Sequence, residues 1–338
     1  MATTPKRRLP VMADVAKEAG VSHQTVSRVL NDHPNVRADT RARVEEAISR
    51  LGYRRNLVAR ALVTKRSRML GVVSFDTTLY GPASTIYGIE QAARTAGYFV
   101  SIVSLKSLDA TSVRAAIDYL TEQGVDGVVV VAPQRSAGRA LESLPSGTPA
   151  VAVEGTHRAD VSVVCIDQFE GARLATRHLL DLGHETVWHV SGPPDWLETE
   201  GRLAGWRTTL EAAGRPVPPP LPGDWSPRTG YEAGRRLAAM DEVTAVFAAN
   251  DQMALGVLRA LSEEGVKVPD RMSVVGFDDI PESEFFSPPL TTVRQDFDAV
   301  GRRCIEALLR QIDSGPVAYE RLVVPPAFIV RSSTAPAR

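Results

Sequence analysis

Two groups of polar side chains in this sequence have types and spacings that could do chemistry. The first is compact: Ser22, His23, Gln24, Thr25, Ser27 and Arg28 lie almost side by side. A carboxamide and a guanidinium each offer paired hydrogen-bonding atoms that match the edges of adenine and guanine, while hydroxyls and imidazoles reach phosphates or base edges. The second group is scattered: Glu154, Arg202, Trp225, Asn250, Asp278, Gln295 and Phe297, with the loop Asp76 to Pro82, including Leu79, ahead of them. Carboxylates, a guanidinium and amides bond vicinal hydroxyls, and aromatic or aliphatic faces cover the apolar side of a sugar ring. Each member of either group also fits an ordinary role as a helix cap, a salt-bridge partner or a solvated surface residue.

The elements that must position the first group are short helices. Met12, Val15, Ala16 and Ala19 recur at helical spacing and are followed by Gly20 in the position of a C′ glycine. Ser22 is placed to cap a second helix over His23–Leu30. At about 100° per residue, Thr25, Val26, Val29 and Leu30 share one arc and His23, Gln24, Ser27 and Arg28 the opposite one. A third stripe, Val44, Ala47, Ile48 and Leu51, completes a small three-helix core. The outward arc suits a helix laid in a major groove, and equally the wet face of an ordinary helical hairpin.

Charge separates the two regions. Met1 to Arg68 holds 15 Lys and Arg against 6 Asp and Glu, a balance of +9, and the remaining chain holds 24 against 34, a balance of −10. A cationic module on an acidic body suggests a polyanion partner, because phosphate neutralisation releases counterions; a solvated basic arm is the alternative. With 43% hydrophobic and 23% charged residues and no apolar run of membrane-spanning length, the chain belongs in the soluble class and no membrane partner is expected. The opening MATTPKRRLP leads into no apolar run, so a cytoplasmic rather than a secreted protein is expected. Cys165 and Cys304 are too few for a disulfide framework or a cysteine zinc site, and both should be buried free thiols. No metal or cofactor motif is present.

From Met69 onward, the apolar runs LGVVSF, FVSIVSL, GVVVVA, AVAVEG, TVWHVSG, TAVFAAN and MSVVGF alternate with helical stripes near Ala83–Ala96, Ser112–Gln123, Phe169–Leu182, Arg202–Ala213, Thr229–Met240 and Gln252–Glu264. Continuous apolar strands between helices predict parallel sheets covered on both faces. The alternation is too long for one small sheet, so two Rossmann-like lobes are expected, with a ligand at the carboxyl ends of their strands. Between the two regions, Asn56 is placed as an N-cap and Val58, Ala59 and Leu62 at helical spacing. Such a short helix needs a packing partner to be stable.

The run MADVAKEAGVSHQTVSRVLNDHPNVRADTRARVEEAISRLGYRRNLVARAL resembles the DNA-binding headpiece of the lactose repressor (LacI/GalR) family, and the likeness continues through GRLAGW, GDWS, ANDQMALG, SVVGFDD and PPLTTVRQDF. The resemblance implies a small all-α helix-turn-helix headpiece (1–55), a hinge helix and linker (56–68), and a two-lobed α/β periplasmic-binding-protein-like domain (69–338). Lobe one would hold about 69–166 plus 297–325, and lobe two about 167–293 plus 326–331. It further implies His23, Gln24 and Arg28 in the major groove, Ser22 and Thr25 near phosphates, and Leu62 as an apolar wedge in the minor groove. Arg202, Asn250 and Asp278 would contact sugar hydroxyls, with Leu79, Pro82, Trp225 and Phe297 packed on the ligand. Val11 and Arg37 depart from the family's helix caps, and Val131, Glu154 and Thr85 from the pocket of its lactose-sensing branch.

The function expected is that of a transcriptional regulator, a homodimeric repressor released from a palindromic double-stranded operator by a small carbohydrate. A galactoside or other β-glycoside is favoured over a purine. A corepressor-dependent repressor or activator shares every motif. A sugar transport protein shares only the body, and an enzyme lacks its phosphate loop, metal spacing or nucleophile elbow. The closing RSSTAPAR has no Leu heptads, so a dimer rather than a tetramer is expected.

Overall fold

The computed structural model describes residues 10–54, 66–75, 77–105, 109–131, 133–135, 147–155, 161–315 and 318–337. Asn56, Val58, Ala59 and Leu62, and with them the expected hinge helix, lie outside the described residues, as does Asp76. The chain divides into two compact units, Met1–Ser67 and Arg68–Arg338.

In the first unit, α1 (Met12–Ala19), α2 (His23–Leu30) and α3 (Ala38–Leu51) enclose a core of Val15, Ala16, Ala19, Val26, Val29, Val44, Ala47 and Tyr53. Gly20 ends α1 at φ +65, a left-handed turn that glycine adopts without a Cβ penalty. Ser22 caps α2, its Oγ accepting from Thr25 N at 3.1 Å. Val11 has no side-chain acceptor, but the Asp14 carboxylate takes the Val11 amide at 2.8 Å, so half of the missing cap is replaced. Arg37 offers α3 no side-chain cap at all.

The second unit is built on two six-stranded sheets. Lobe one contains β1 (Met69–Phe75), α4 (Tyr80–Thr95), β2 (Phe99–Leu105), α5 (Ala110–Glu122), β3 (Gly127–Val131), β4 (Ala150–Val153) and β5 (Ser162–Ile166). Lobe two contains α6 (Gln168–Asp181), β6 (Trp188–Ser191), α7 (Leu197–Ala212), β7 (Leu221–Pro222), α8 (Pro227–Ala238), β8 (Ala245–Ala248), α9 (Asp251–Glu263), β9 (Ser273–Asp278) and β10 (Thr291–Arg294). The chain then supplies α10 (Phe297–Ser314) and β11 (Arg321–Val324) to the first sheet and β12 (Ala327–Ile329) to the second. The strand orders are β11-β5-β4-β3-β1-β2 and β12-β10-β9-β8-β6-β7, parallel throughout except for the β10 to β12 pair. Strands β3, β4, β5 and β8 are buried along their whole length, which is why their sequences show no alternation.

Both sheets are doubly wound, and the winding reverses beside β1 in one and β6 in the other. At such a switch point neighbouring loops diverge and open a crevice at the carboxyl ends. Helix α10 is drawn tightly against α4: a Cβ on Gly88 would lie 2.5 Å from the carbonyl oxygen of Phe297. Any larger residue there would push the start of α10 away from the crevice.

Several elements differ from the sequence expectation. Helix α4 starts at Tyr80 rather than Ala83, and α7 at Leu197 rather than Arg202. Strands β5, β7, β10 and β12 were not among the expected runs, being short or set close to loops. Strand β2 is not covered on both faces, with Phe99 62% and Ile102 45% exposed, because it is an edge strand. His184 bonds to Thr244, Ser273 and the Ala335 carbonyl, and His189 bonds through Nδ1 to the Phe247 carbonyl, so both histidines sit in the core as structural groups. Cys165 and Cys304 are buried and free. Among the described residues no helix is long and apolar enough to cross a membrane.

Candidate functional site

In the first unit, the fold turns one face of α2 outward. Ser22, His23, Gln24 and Arg28 are exposed, Thr25 and Ser27 are half-buried, and Val26 and Val29 are in the core. The hydroxyls of Ser22 and Thr25 lie 2.8 Å apart at the helix start, beside its free amides. Such an N-terminus attracts a phosphate, and the next turn then carries Gln24 and Arg28 toward base edges. Arg41 is held by Asp32 Oδ1 at 2.8 Å and the His33 carbonyl at 3.3 Å, bracing the turn after α2.

In the second unit, a cavity of about 330 Å³ opens where the two sheets present their carboxyl ends. Leu79 and Pro82 follow β1, Glu154 follows β4, Trp225 follows β7, Asn250 follows β8, Asp278 ends β9, and Gln295 and Phe297 follow β10. Arg202 enters from the second turn of α7. The structure therefore brings all nine of these residues to one cavity. Val131 and Thr85 line it too.

The polar side chains of the cavity are wired to one another. Gln168 Nε2 donates to Gln295 Oε1 at 3.0 Å, and Gln295 Nε2 donates to Asp278 Oδ1 at 2.6 Å. Arg202 Nε donates to Gln168 Oε1 at 2.9 Å, its Nη1 to the Ala249 carbonyl, and its Nη2 lies 3.6 Å from Asp278 Oδ1. The guanidinium also lies over the Phe277 ring, 3.8 Å from its centroid. Glu154 Oε1 accepts from Ile166 N at 3.1 Å. Asn250 does structural duty here: its Oδ1 caps α9 through Met253 N at 2.8 Å and its Nδ2 donates to the Trp225 carbonyl at 3.1 Å.

Burial governs the electrostatics of this network. It pushes the Asp278 carboxyl up to about 6, against the pull of Arg202 and Gln295. It also raises Glu154, against its bonds from Ile166 and Gln168. Glu154, Trp225 and Asp278 have φ of +50, +72 and +111, conformations that cost a side-chain-bearing residue about 1–3 kcal/mol each. Three such residues around one cavity mark a place where the fold gives up stability for shape.

Sequence reasoning missed Gln168, Trp196 and Glu198, which also line the cavity. Placing the start of α7 at Arg202 left Trp196 and Glu198 outside any element. Gln168 is separated by one residue from the end of a strand, β5, that the apolar runs do not reveal. The first turn of α7 also joins the lobes: Leu197 N donates to the Pro133 carbonyl at 2.8 Å, and Arg135 meets Glu200 at 2.5 Å. Asp251 and Asp279 stand outside the cavity wall, Asp251 accepting from Ile280 N and Thr292 and Asp279 paired with Arg294 and Arg331.

Residues 11–56 match the lacI family of bacterial regulatory proteins, and residues 176–334 match a periplasmic binding protein-like domain. The lactose operon repressor of Escherichia coli K12 is 33% identical over 95% of this chain and 89% of its own length. The HTH-type transcriptional repressor PurR of Haemophilus influenzae is 35% identical over 96% and 98%. A solved lac repressor dimer bound to operator and the anti-inducer ONPF superposes with a TM-score of 0.85 at 32% identity, covering 97% of this chain and all of that one. A transcriptional regulator CelR–cellobiose complex has a TM-score of 0.71 at 32% identity, over 96% and 99%. Similarity of this degree spans the outward-facing α2 and the crevice alike, and the chain belongs to the LacI family of bacterial DNA-binding transcriptional regulators.

Proposed function

We propose that this protein is a dimeric repressor of carbohydrate-utilisation genes that a small sugar, a galactoside or another β-glycoside, releases from a palindromic operator. The observation that carries this reading is the cavity itself. It gathers carboxylates, a guanidinium and amides with the flat faces of Trp225, Trp196 and Phe297, a mixture suited to a polyol ring. Relatives solved with cellobiose and with ribose support a sugar.

On this reading Gln24 and Arg28 read bases, Ser22 and Thr25 hold phosphates, and residues 56–68 form a hinge in which Asn56, Val58, Ala59 and Leu62 order on the minor groove. Two copies pair so that two α2 helices meet two half-sites. The exposed Phe99 and Ile102 of lobe one, and Leu255 and Phe285 of lobe two, are surfaces for that pairing. Sugar touching Leu79 and Pro82 on one lobe and Arg202 and Asp278 on the other favours one lobe arrangement by differential contact. Reciprocity then requires operator to weaken sugar binding by the factor by which sugar weakens operator binding, about 5–150-fold in ordinary cases.

The test begins with a thermal-shift screen of sugars on the full-length protein and selection of a duplex from a random pool. Operator binding is then titrated with the sugar found. Release by sugar is expected, and its loss in Arg202→Ala and Asp278→Asn. Sugar that tightens DNA binding makes the protein corepressor-dependent; release at unchanged sugar concentration in both variants removes the cavity from the mechanism.

A further inference from the structure

Among the described residues, the cavity wall holds four carboxylates, Glu154, Glu198, Asp224 and Asp278, against one guanidinium, Arg202. That guanidinium is committed to Gln168, the Ala249 carbonyl and Asp278. Asp224 is satisfied by Ser226 N at 2.9 Å and Thr229 Oγ1 at 2.7 Å, and Glu154 by Ile166 N. Glu198 is different. Among the described residues, its Oε2 is buried with no hydrogen-bond partner. It stands in the first turn of α7, two residues after Trp196, whose ring meets Trp225 edge-on at 5.5 Å.

A buried carboxylate without a partner is costly, and it is relieved either by a proton or by a cation that arrives with the ligand. A hydroxyl brings a neutral hydrogen bond. An ammonium brings three donors and the missing charge, and indole faces attract it further. We propose that the effector of this cleft is a carbohydrate carrying a basic amine, its ammonium seated on Glu198 beside Trp196 and Trp225. The proposal rests on the sugar-cleft reading and narrows it to one chemical class.

The charged groups acting on Glu198 agree with this. Burial holds the Glu198 carboxyl well above its usual range; Glu154 after β4 and Asp278 at the end of β9 push the same way by repelling its charge, while its own backbone amide and Arg202 on α7 pull the other way. An ammonium would supply the charge that burial denies this carboxyl, and a proton held there would leave as the amine binds.

The experiment compares matched sugars on the full-length protein by calorimetry: D-galactose, N-acetyl-D-galactosamine and D-galactosamine, and the β-linked disaccharides of glucose, N-acetylglucosamine and glucosamine. In one series or the other the amine should bind about 10-fold or more tightly than its N-acetyl and hydroxyl counterparts, the scale of one charge-assisted contact. Its binding heat should vary with the ionisation enthalpy of the buffer, as proton release demands. Glu198→Gln should erase the difference between amine and N-acetyl forms. Neutral sugars binding as tightly as amines would overturn the proposal and leave the sugar reading standing. Binding of hypoxanthine with no response to any sugar, or no response to any compound, would overturn both.

Discussion

Helix α2 and the cleft carry their chemistry in opposite ways. On α2 the residues that fold the helix, Val26 and Val29, and those that face outward, His23, Gln24 and Arg28, occupy different arcs, so either set can change without the other. In the cleft, folding and chemistry share side chains. Arg202, 4% exposed, holds Gln168 and the Ala249 carbonyl while lining the cavity, and Asn250 both lines the wall and caps α9. The difference teaches that a surface site can be edited residue by residue, whereas a buried site responds as a unit.

The sharpest way to break this contrast is Arg202→Ala. It strands Asp278 without its counter-charge, so the body should lose about 3–5 kcal/mol of stability. All four tryptophans, at 188, 196, 206 and 225, lie in the body, and urea unfolding followed by their fluorescence reads this loss directly. A loss under about 1 kcal/mol would mean that the network is not a unit.

A pH profile tests the same wiring next. Asp278 titrates at about 6 in the fold against 3.8 for the ordinary group, so its contribution to stability is complete at low pH and is lost as pH rises through about 6. His189 does the reverse. Burial lowers it from 6.5 to about 4, so its contribution is present above 6.5 and lost as pH falls toward 4. Asp278→Asn removes one falling contribution and leaves those of Glu154, Glu198 and Asp251, which burial also raises. Between these limits the variant's unfolding free energy should climb by about 3 kcal/mol more than that of the wild type. Parallel profiles of the two proteins would contradict the burial of this carboxyl.

On the other side of the comparison, Gln24→Ala and Arg28→Ala should each cost about 1–3 kcal/mol of binding to the selected duplex while the body melts unchanged. Arg37→Ala should weaken selected and random duplexes alike. Equal losses on both kinds of DNA for the Gln24 and Arg28 variants would show that α2 does not read bases. The smallest effect belongs to Ser22→Ala, which removes the α2 cap and should cost the headpiece about 1 kcal/mol, measured by amide exchange in residues 10–54.

How far each region could be read in advance follows from the same contrast. The stripe Met12, Val15, Ala16, Ala19, the cap at Ser22 and the outward arc of α2 are local, and three short helices leave few ways to arrange them. In the body, alternating apolar runs and helical stripes sufficed for the two-sheet α/β fold. Strand β10, four residues ending in Arg294, has too short a pattern to stand out, and β5 is legible only by its place in the sheet between β4 and β11. Trp196 and Glu198 precede the apolar stripe of α7, so periodicity alone starts that helix too late.

By itself, then, the sequence determined the helices and the longer apolar strands, the charge separation between the regions and the kinds of side chain at the ends of those strands, because propensity, periodicity and charge are properties of neighbours along the chain. Only the tertiary structure decided that Gln168 links Arg202 to Gln295, that Asp279 serves Arg294 and Arg331 rather than the cavity, and that Glu198 Oε2 is left without a hydrogen-bond partner among the described residues. Those facts depend on distances between residues far apart in the chain, and it is these distances that set burial, hydrogen bonding and the proton affinity of each buried acid.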